Sequence, residues 1–438
     1  MVYGYLEPPF SLAFLSLFKM KKYIGWIIVG TLVLYLMSIP APCILALPTL
    51  LGWLVPVLMW STLGKGARNQ ALLLLITGGL LVIFAAYRGI FLGWQKIFTA
   101  NLPLLAMFVA VSFLALTNTG IEGQALPQGK RALTITAFGT HLLGAVINLS
   151  VLFVFGDRLR KNGILTKTQA LVLARSFCSA AWWSPFFVAT GVALTYAPGM
   201  SWHETLIPGA MMSLFAIGYS IVEVSFFKKD LFSGYPFRTE TMIVPTFLAA
   251  VVLGVHYLQP DISILTIICL VAPLGALVFM KFRPRPAALR DFINTNLSSV
   301  GSQFTLFLAA GVFSAGIKSM TQVYPALFSL GGATLTPGLL SVILAVMIII
   351  GIAGVHPVVS ISIASPLLLP LNPNPSQLGF VFLSCWAIST ASSPLSGVGL
   401  ALVSRYQVSP KVIIQSNWLY ATVMWATAAT VGNLFFVH

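Results

Sequence analysis

Residues 384–402, SCWAISTASSPLSGVGLAL, place five serines, a threonine and a proline inside an otherwise apolar chain. Pro394 removes a backbone donor and obstructs the carbonyl one turn back, so a helix running through this stretch must break. Polar groups freed in hydrocarbon cost several kcal/mol each, and such a break persists only where it lines a cavity. There the oxygens of Ser389, Thr390, Ser392 and Ser393 suit a cation, while Ser393 and Ser396 can donate to an anion. Close helix packing is the competing role of small residues. A companion stretch, SFCSAAWWSPFFVATGVAL at 176–194, matches at Ser176/Ser384, Ser184/Ser392, Gly191/Gly399, Ala193/Ala401 and Leu194/Leu402 when the two are set 208 residues apart. It adds Ser179 and Ser184 for an ion, and Trp183, Ser184 and Thr190 for a substrate. Arg175, just before it, reads as a snorkelling side chain near the cytoplasmic end of its helix.

The elements that hold these stretches are membrane helices. The 438 residues are 58% hydrophobic and only 8% charged, and apolar runs such as ALLLLITGGLLVIFAA recur from end to end. Each approaches the length that crosses about 30 Å of hydrocarbon. The net charge of +15 is spread over short loops, which orients a chain in a membrane rather than fitting it to nucleic acid. No secretory signal precedes the first basic cluster. Cys43, Cys178, Cys269 and Cys385 show no metal-ligand spacing and read as free, buried thiols.

Charge then dictates topology. The segment at 132–156 has Lys130 and Arg131 before it and Arg158, Arg160 and Lys161 after it, and one crossing cannot have two cytoplasmic ends. A re-entrant hairpin, turning at Gly139, Gly144 or Asn148, resolves this and offers His141, Asn148 and Ser150 to a substrate. A second hairpin, entering from the opposite side through LLSVILAVMIIIGIAGVHPVVSISIASPLLL, turns at His356 and offers His356 and Ser360. Asn148 and His356 also stand 208 residues apart. The reading is an all-α integral membrane protein with about eleven spanning helices and two opposed hairpins. Its N-terminus is cytoplasmic and its C-terminus outside, in a plasma membrane, with Arg88 and Lys96 outside against the rule. The two halves are inverted, a design in which broken-helix ends meet an ion or anion at the bilayer midplane.

This arrangement resembles the ion transporter superfamily, most closely its divalent-anion/sodium symporter (dicarboxylate transporter) type. The Ser-Asn-Thr string of such families is absent. Its nearest substitutes are Asn148-Leu149-Ser150 and the run from Ser389 to Ser396. The resemblance implies elevator motion of a transport domain against a dimeric scaffold. On that plan 1–23 is a cytoplasmic or interfacial segment, 24–131 and 231–318 are scaffold, and 132–230 and 319–438 carry hairpin and broken helix. Partners would be a small anion, membrane lipid and a second copy of the chain. None of the nine acids falls in either hairpin or break, so no carboxylate repels an anion there, and coupling is expected to sodium held by neutral oxygens or, through His141 and His356, to protons. No other cofactor or metal is expected. Open alternatives are a carrier or flippase for a larger or lipid-linked anion, and a sodium/proton or arsenite-type antiporter. The rival from another class, an integral-membrane transferase, lacks any DDxxD, HExxH, GxSxG or P-loop pattern.

Overall fold

The computed structural model describes residues 23–117, 125–227, 231–236, 243–280, 284–328 and 335–436. The expected interfacial segment with Lys19, Lys21 and Lys22, and the cytoplasmic pair Lys228 and Lys229, lie outside the described residues. Among those described, the regular elements are helices, with two isolated β-bridges.

The first half opens with α1 (Ile24–Ser38), α2 (Ala46–Met59), α3 (Lys65–Tyr87), α4 (Trp94–Thr99) and α5 (Leu102–Ser112). Then come the hairpin α6 (Lys130–Ile147) and α7 (Ser150–Leu159), the broken pair α8 (Lys167–Ser179) and α9 (Val188–Tyr196), and α10 (Trp202–Phe227). The second half repeats the order with α11 (Ile243–Leu258), α12 (Ile264–Phe279), α13 (Arg285–Thr295) and α14 (Gly301–Val323). Its hairpin is α15 (Pro337–Ile352) and α16 (Pro357–Leu368), its broken pair α17 (Pro375–Ser392) and α18 (Gly397–Tyr406), and its last helix α19 (Pro410–Phe436). The helix α13, which the sequence reading left as cytoplasmic loop, packs on α1 through the Trp26 indole, 3.0 Å from Asn294 Oδ1.

Local chemistry sets these boundaries. Pro337, Pro357, Pro375 and Pro410 each open a helix, where the missing N–H has no intrahelical partner anyway. Side chains cap the exposed amides: Thr336 accepts from Leu339 N–H, Asn374 from Ser376 and Gln377, and Ser396 from Gly399. Thr166 and Gln169 form a reciprocal capping box at the start of α8.

Seven helices among the described residues are long and apolar enough to cross a membrane. On α2 and α3, Leu50, Val57, Leu73 and Ile83 are bare, a surface that hydrocarbon must cover. The helix α17, by contrast, is buried at every residue from Ser376 to Ser392. The chain is a multi-pass membrane protein.

Both hairpins have unequal arms. The return arms α7 and α16 have 10 and 12 residues, so they rise about 15 and 18 Å, roughly half the hydrocarbon thickness. The first turn lies at Asn148, whose φ of 51° is left-handed. Gly139 and Gly144 do not turn the chain. They lie inside α6, where Gly144 lets the Phe177 ring of α8 come within 2.7 Å of where a Cβ would stand. The second turn lies just before His356, at Gly354, whose φ of 109° suits only glycine. Cys178, Cys269 and Cys385 are buried free thiols, but Cys43 is exposed, because it sits in a single 3-10 turn between α1 and α2.

The two halves lock together where α3 crosses α14. A Cβ on Gly78 would stand 2.6 Å from the Phe313 Cα, and one on Gly316 would stand 2.7 Å from the Gly78 carbonyl oxygen. Backbone meets backbone there, and no flexible side chain is available to give way. Gly78→Leu is expected to destabilise the fold by about 1–3 kcal/mol or more, seen as a lower unfolding midpoint in detergent, while Gly79→Leu, which faces open space, should leave it unchanged.

Candidate functional site

The two breaks are joined to their hairpins by the same bonds. Ser184, just before Pro185, donates its hydroxyl to the Ala145 carbonyl near the end of α6 and accepts the Phe186 N–H at 3.3 Å. Ser393, just before Pro394, donates to the Ile352 carbonyl at the end of α15 at 3.0 Å and accepts the Leu395 N–H at 3.2 Å. Within each break a second hydroxyl takes a carbonyl six residues back: Thr190 to Ser184 at 2.6 Å, and Ser396 to Thr390 at 2.8 Å. These bonds pair Ser184 with Ser393, one residue beyond the Ser392 that the 208-residue register gives, since what aligns is the serine before the proline. The first break also touches the helix that leads to the second, through the Trp182 indole donating to Ser384 Oγ of α17 at 3.0 Å.

The remaining candidates differ in what their polar atoms already touch. Ser179 and Ser389 donate to carbonyls of their own helices, Ser176 at 2.8 Å and Cys385 at 2.6 Å. Ser150 begins α7, half-buried. Asn148 donates to the Phe186 carbonyl at 3.1 Å, tying the first hairpin tip to the first break. Trp183 donates its indole N–H to His141 Nε2 at 3.0 Å. An indole nitrogen only donates, so Nε2 is the acceptor, the proton sits on Nδ1, and it faces Ser179 Oγ at 2.8 Å. Both imidazole nitrogens are therefore held by protein groups.

His356 has the other tautomer. Its Nδ1 accepts the Val358 N–H at 3.3 Å and caps α16, which leaves the proton on Nε2. The ring lies between Phe307 of α14 and Trp386 of α17, with centroids 6.0 and 5.2 Å away. Ser360 follows one turn along α16, and Thr390 one turn after Trp386 along α17, on faces of two helices that pack together. The hydroxyls of Ser360, Thr390 and Ser392 are buried with no hydrogen-bond partner among the described residues. In the first half the unpartnered hydroxyls among the described residues are Ser176, a position the repeat had matched with Ser384, and Thr140, which no sequence signal singled out. The N-termini of α16 and α18 approach the second break, bringing backbone amides suited to negative charge. The C-termini of α15 and α17 bring carbonyls suited to a cation.

One further residue reaches this site. Gln70 of α3 reaches the second hairpin tip, donating to the Gly354 carbonyl at 2.9 Å and accepting the His356 N–H at 3.2 Å. Arg175 does not snorkel. It is completely buried, 2.7 Å from Glu223 of α10, 2.8 Å from Asn417 Oδ1 and 2.7 Å from the Ser416 carbonyl of α19. Burial is possible because carboxylate, amide and carbonyl together satisfy the guanidinium. Asp157, placed beyond the hairpin by sequence, lies in the last turn of α7 because that helix runs on to Leu159. It accepts two bonds from Arg405, at 3.0 and 2.6 Å, at the rim rather than beside the break. No group of three His, Cys, Asp or Glu able to hold a metal occurs among the described residues.

No family model matches the chain, and no curated protein matches it. Among solved structures it is similar to the YdaH transporter of Alcanivorax borkumensis, described as having an unusual topology. The TM-score is 0.54 at 14% identity, over 84% of this chain and 98% of the other. At that identity the likeness is one of fold. This chain shares the helical fold of that transporter.

Proposed function

We propose that this protein is a secondary active transporter that carries a small, carboxylate-like anion by an elevator-type motion, coupled to sodium or protons. The observation that carries the reading is the duplicated contact of pre-proline serine with hairpin carbonyl, combined with the unpartnered buried hydroxyls of Ser360, Thr390 and Ser392. Buried polar groups are almost always satisfied, so hydroxyls left without partners next to helix N-termini suit a ligand that accepts hydrogen bonds. The hydroxyls of Ser184 and Ser393 have donated their protons to carbonyls. What such groups offer a ligand is oxygen lone pairs, which suits sodium. On this reading Thr390 and Ser392 face the anion, although their residue type alone suits an ion equally.

The hairpins and broken helices form the moving part, and α3, α14 and their neighbours the scaffold of a homodimer. The experiment is uptake of labelled succinate, citrate and sulfate into liposomes holding the purified protein, first under a sodium gradient, then under a proton gradient. Sodium-driven uptake of one of them is the expected result. Folded protein with no uptake under either gradient would overturn the small-anion reading.

A further inference from the structure

A cavity of about 570 Å³ lies away from both breaks, between α4, α5 and α14 on one side and the far ends of α9 and α16 on the other. Lys96 of α4 and Lys318 of α14 line it, both exposed, with the hydroxyl-bearing Thr99 and Ser314 beside them. No Asp or Glu is among the residues that line it. Its floor is a polar contact between the two parts of the fold. Asn101, buried at the start of α5, donates to the Tyr196 hydroxyl at 2.7 Å and to the Phe307 carbonyl at 2.6 Å. Ser365 of α16 donates to the Tyr196 carbonyl at 2.5 Å.

The lysines are out of place by the usual rule. Lys96 stands at the end of the bundle that the loop charges assign to the outside, with Arg88, where basic residues are normally few. A site that needs positive charge accounts for two lysines on separate helices facing one cavity. Low-dielectric walls focus their field into the space between them, and because both side chains are exposed that field weakens as salt is added. Tyr196 ends the half-helix α9, so any displacement of α9 and α16 against α5 must break the Asn101–Tyr196 contact at the floor.

We propose that this cavity is an anion vestibule: Lys96 and Lys318 draw a small carboxylate-bearing or sulfate-like anion from solution and hold it above the Asn101–Tyr196–Ser365 floor. Its role as an entrance rests on the transport reading above, but its potential and its ligand class belong to the cavity itself. A floor of neutral donors and acceptors with lysines above it makes the site attractive to anions without fixing them so tightly that they cannot leave.

The test reads the cavity without relying on transport. Cys43, the exposed native thiol, is replaced by serine, and Ser314→Cys is introduced, with Thr99→Cys as a second reporter should the first misfold. Reaction rates with an anionic and a cationic methanethiosulfonate are compared, each normalised to a free thiol in solution. The anionic reagent is expected to gain about tenfold over the cationic one in low salt, and the advantage should shrink as ionic strength rises. The double substitution K96Q and K318Q should bring the ratio close to one, with the unfolding midpoint unchanged. Citrate, succinate or sulfate should slow the modification in the parent and not in the double variant. A ratio that favours the cation, a ratio indifferent to the lysines, or modification that none of the three anions slows would each overturn the vestibule. Liposome uptake of the same anions is measured in parallel. Absent uptake with the charge ratio and protection intact would sink the transport reading and leave the anion site standing.

Discussion

Arg175→Ala is expected to lower the stability of the protein by about 3–5 kcal/mol, one of the largest effects of any single truncation in the chain. The guanidinium is fully enclosed and reaches Glu223, Asn417 and the Ser416 carbonyl within 2.8 Å, with the Tyr420 ring centroid 4.5 Å away. Its removal leaves a carboxylate, an amide oxygen and a carbonyl facing a space that water does not freely fill. The cost arises from those abandoned partners rather than from the attraction of the pair, and the double variant separates the two. Arg175→Met with Glu223→Leu removes both charges together, and should recover at least 1 kcal/mol relative to Arg175→Met alone. Glu223 keeps 19% of its side chain exposed, toward a groove of about 330 Å³ between α10 and α19, so Glu223→Gln should cost less than Arg175→Met. Unfolding midpoints in detergent check all four. If the double variant is no more stable than Arg175→Met alone, the abandoned carboxylate is not the source of the cost and the explanation fails.

The same buried arginine shows where sequence reading stops. Proline, glycine and asparagine act on their own backbone, so the breaks at Pro185 and Pro394 could be placed from residue type, and the hairpin tips narrowed to Gly139, Gly144 or Asn148 and to the neighbourhood of His356. Basic loops act over the width of the membrane, and they pointed to the first hairpin. Partnership across the fold has no such local mark. Arg175 is 48 residues from Glu223 and 242 from Asn417, and Gln70 is 284 residues from the Gly354 carbonyl that it holds. Each is an ordinary polar residue near a helix end until the helices are packed. Gly139 and Gly144 mislead for a related reason: glycine serves close packing as readily as turning, and only the ring of Phe177 against Gly144 decides which.

The one-residue slip between Ser392 and Ser393 carries more consequence than its size suggests. Residue identity aligns Ser184 with Ser392, whereas hydrogen bonding gives Ser393 the matching structural task and leaves Ser392 buried without a partner. Adjacent serines of identical chemistry thus divide into one that holds the hairpin and one whose hydroxyl bonds to no described protein group.

That division yields the sharpest expectation for function. Thr390→Val and Ser392→Ala remove hydroxyls that bond to no described protein group, so the unfolding midpoint should stay level or rise. Anion uptake should fall about tenfold for each, the loss expected when a charged ligand forfeits one hydrogen bond worth roughly 1.5 kcal/mol. Ser393→Ala should behave in the opposite sense. It strands the Ile352 carbonyl and the Leu395 N–H, at a cost of about 1–3 kcal/mol in stability, and frees the hairpin end from the break. Ser184→Ala should copy the Ser393 result, because the first half makes the same two bonds. Uptake and unfolding measured on all four variants decide the matter. Thr390→Val and Ser392→Ala at parent uptake would remove the unpartnered hydroxyls from the site, whereas an equal stability loss across all four would mean that these hydroxyls serve packing alone.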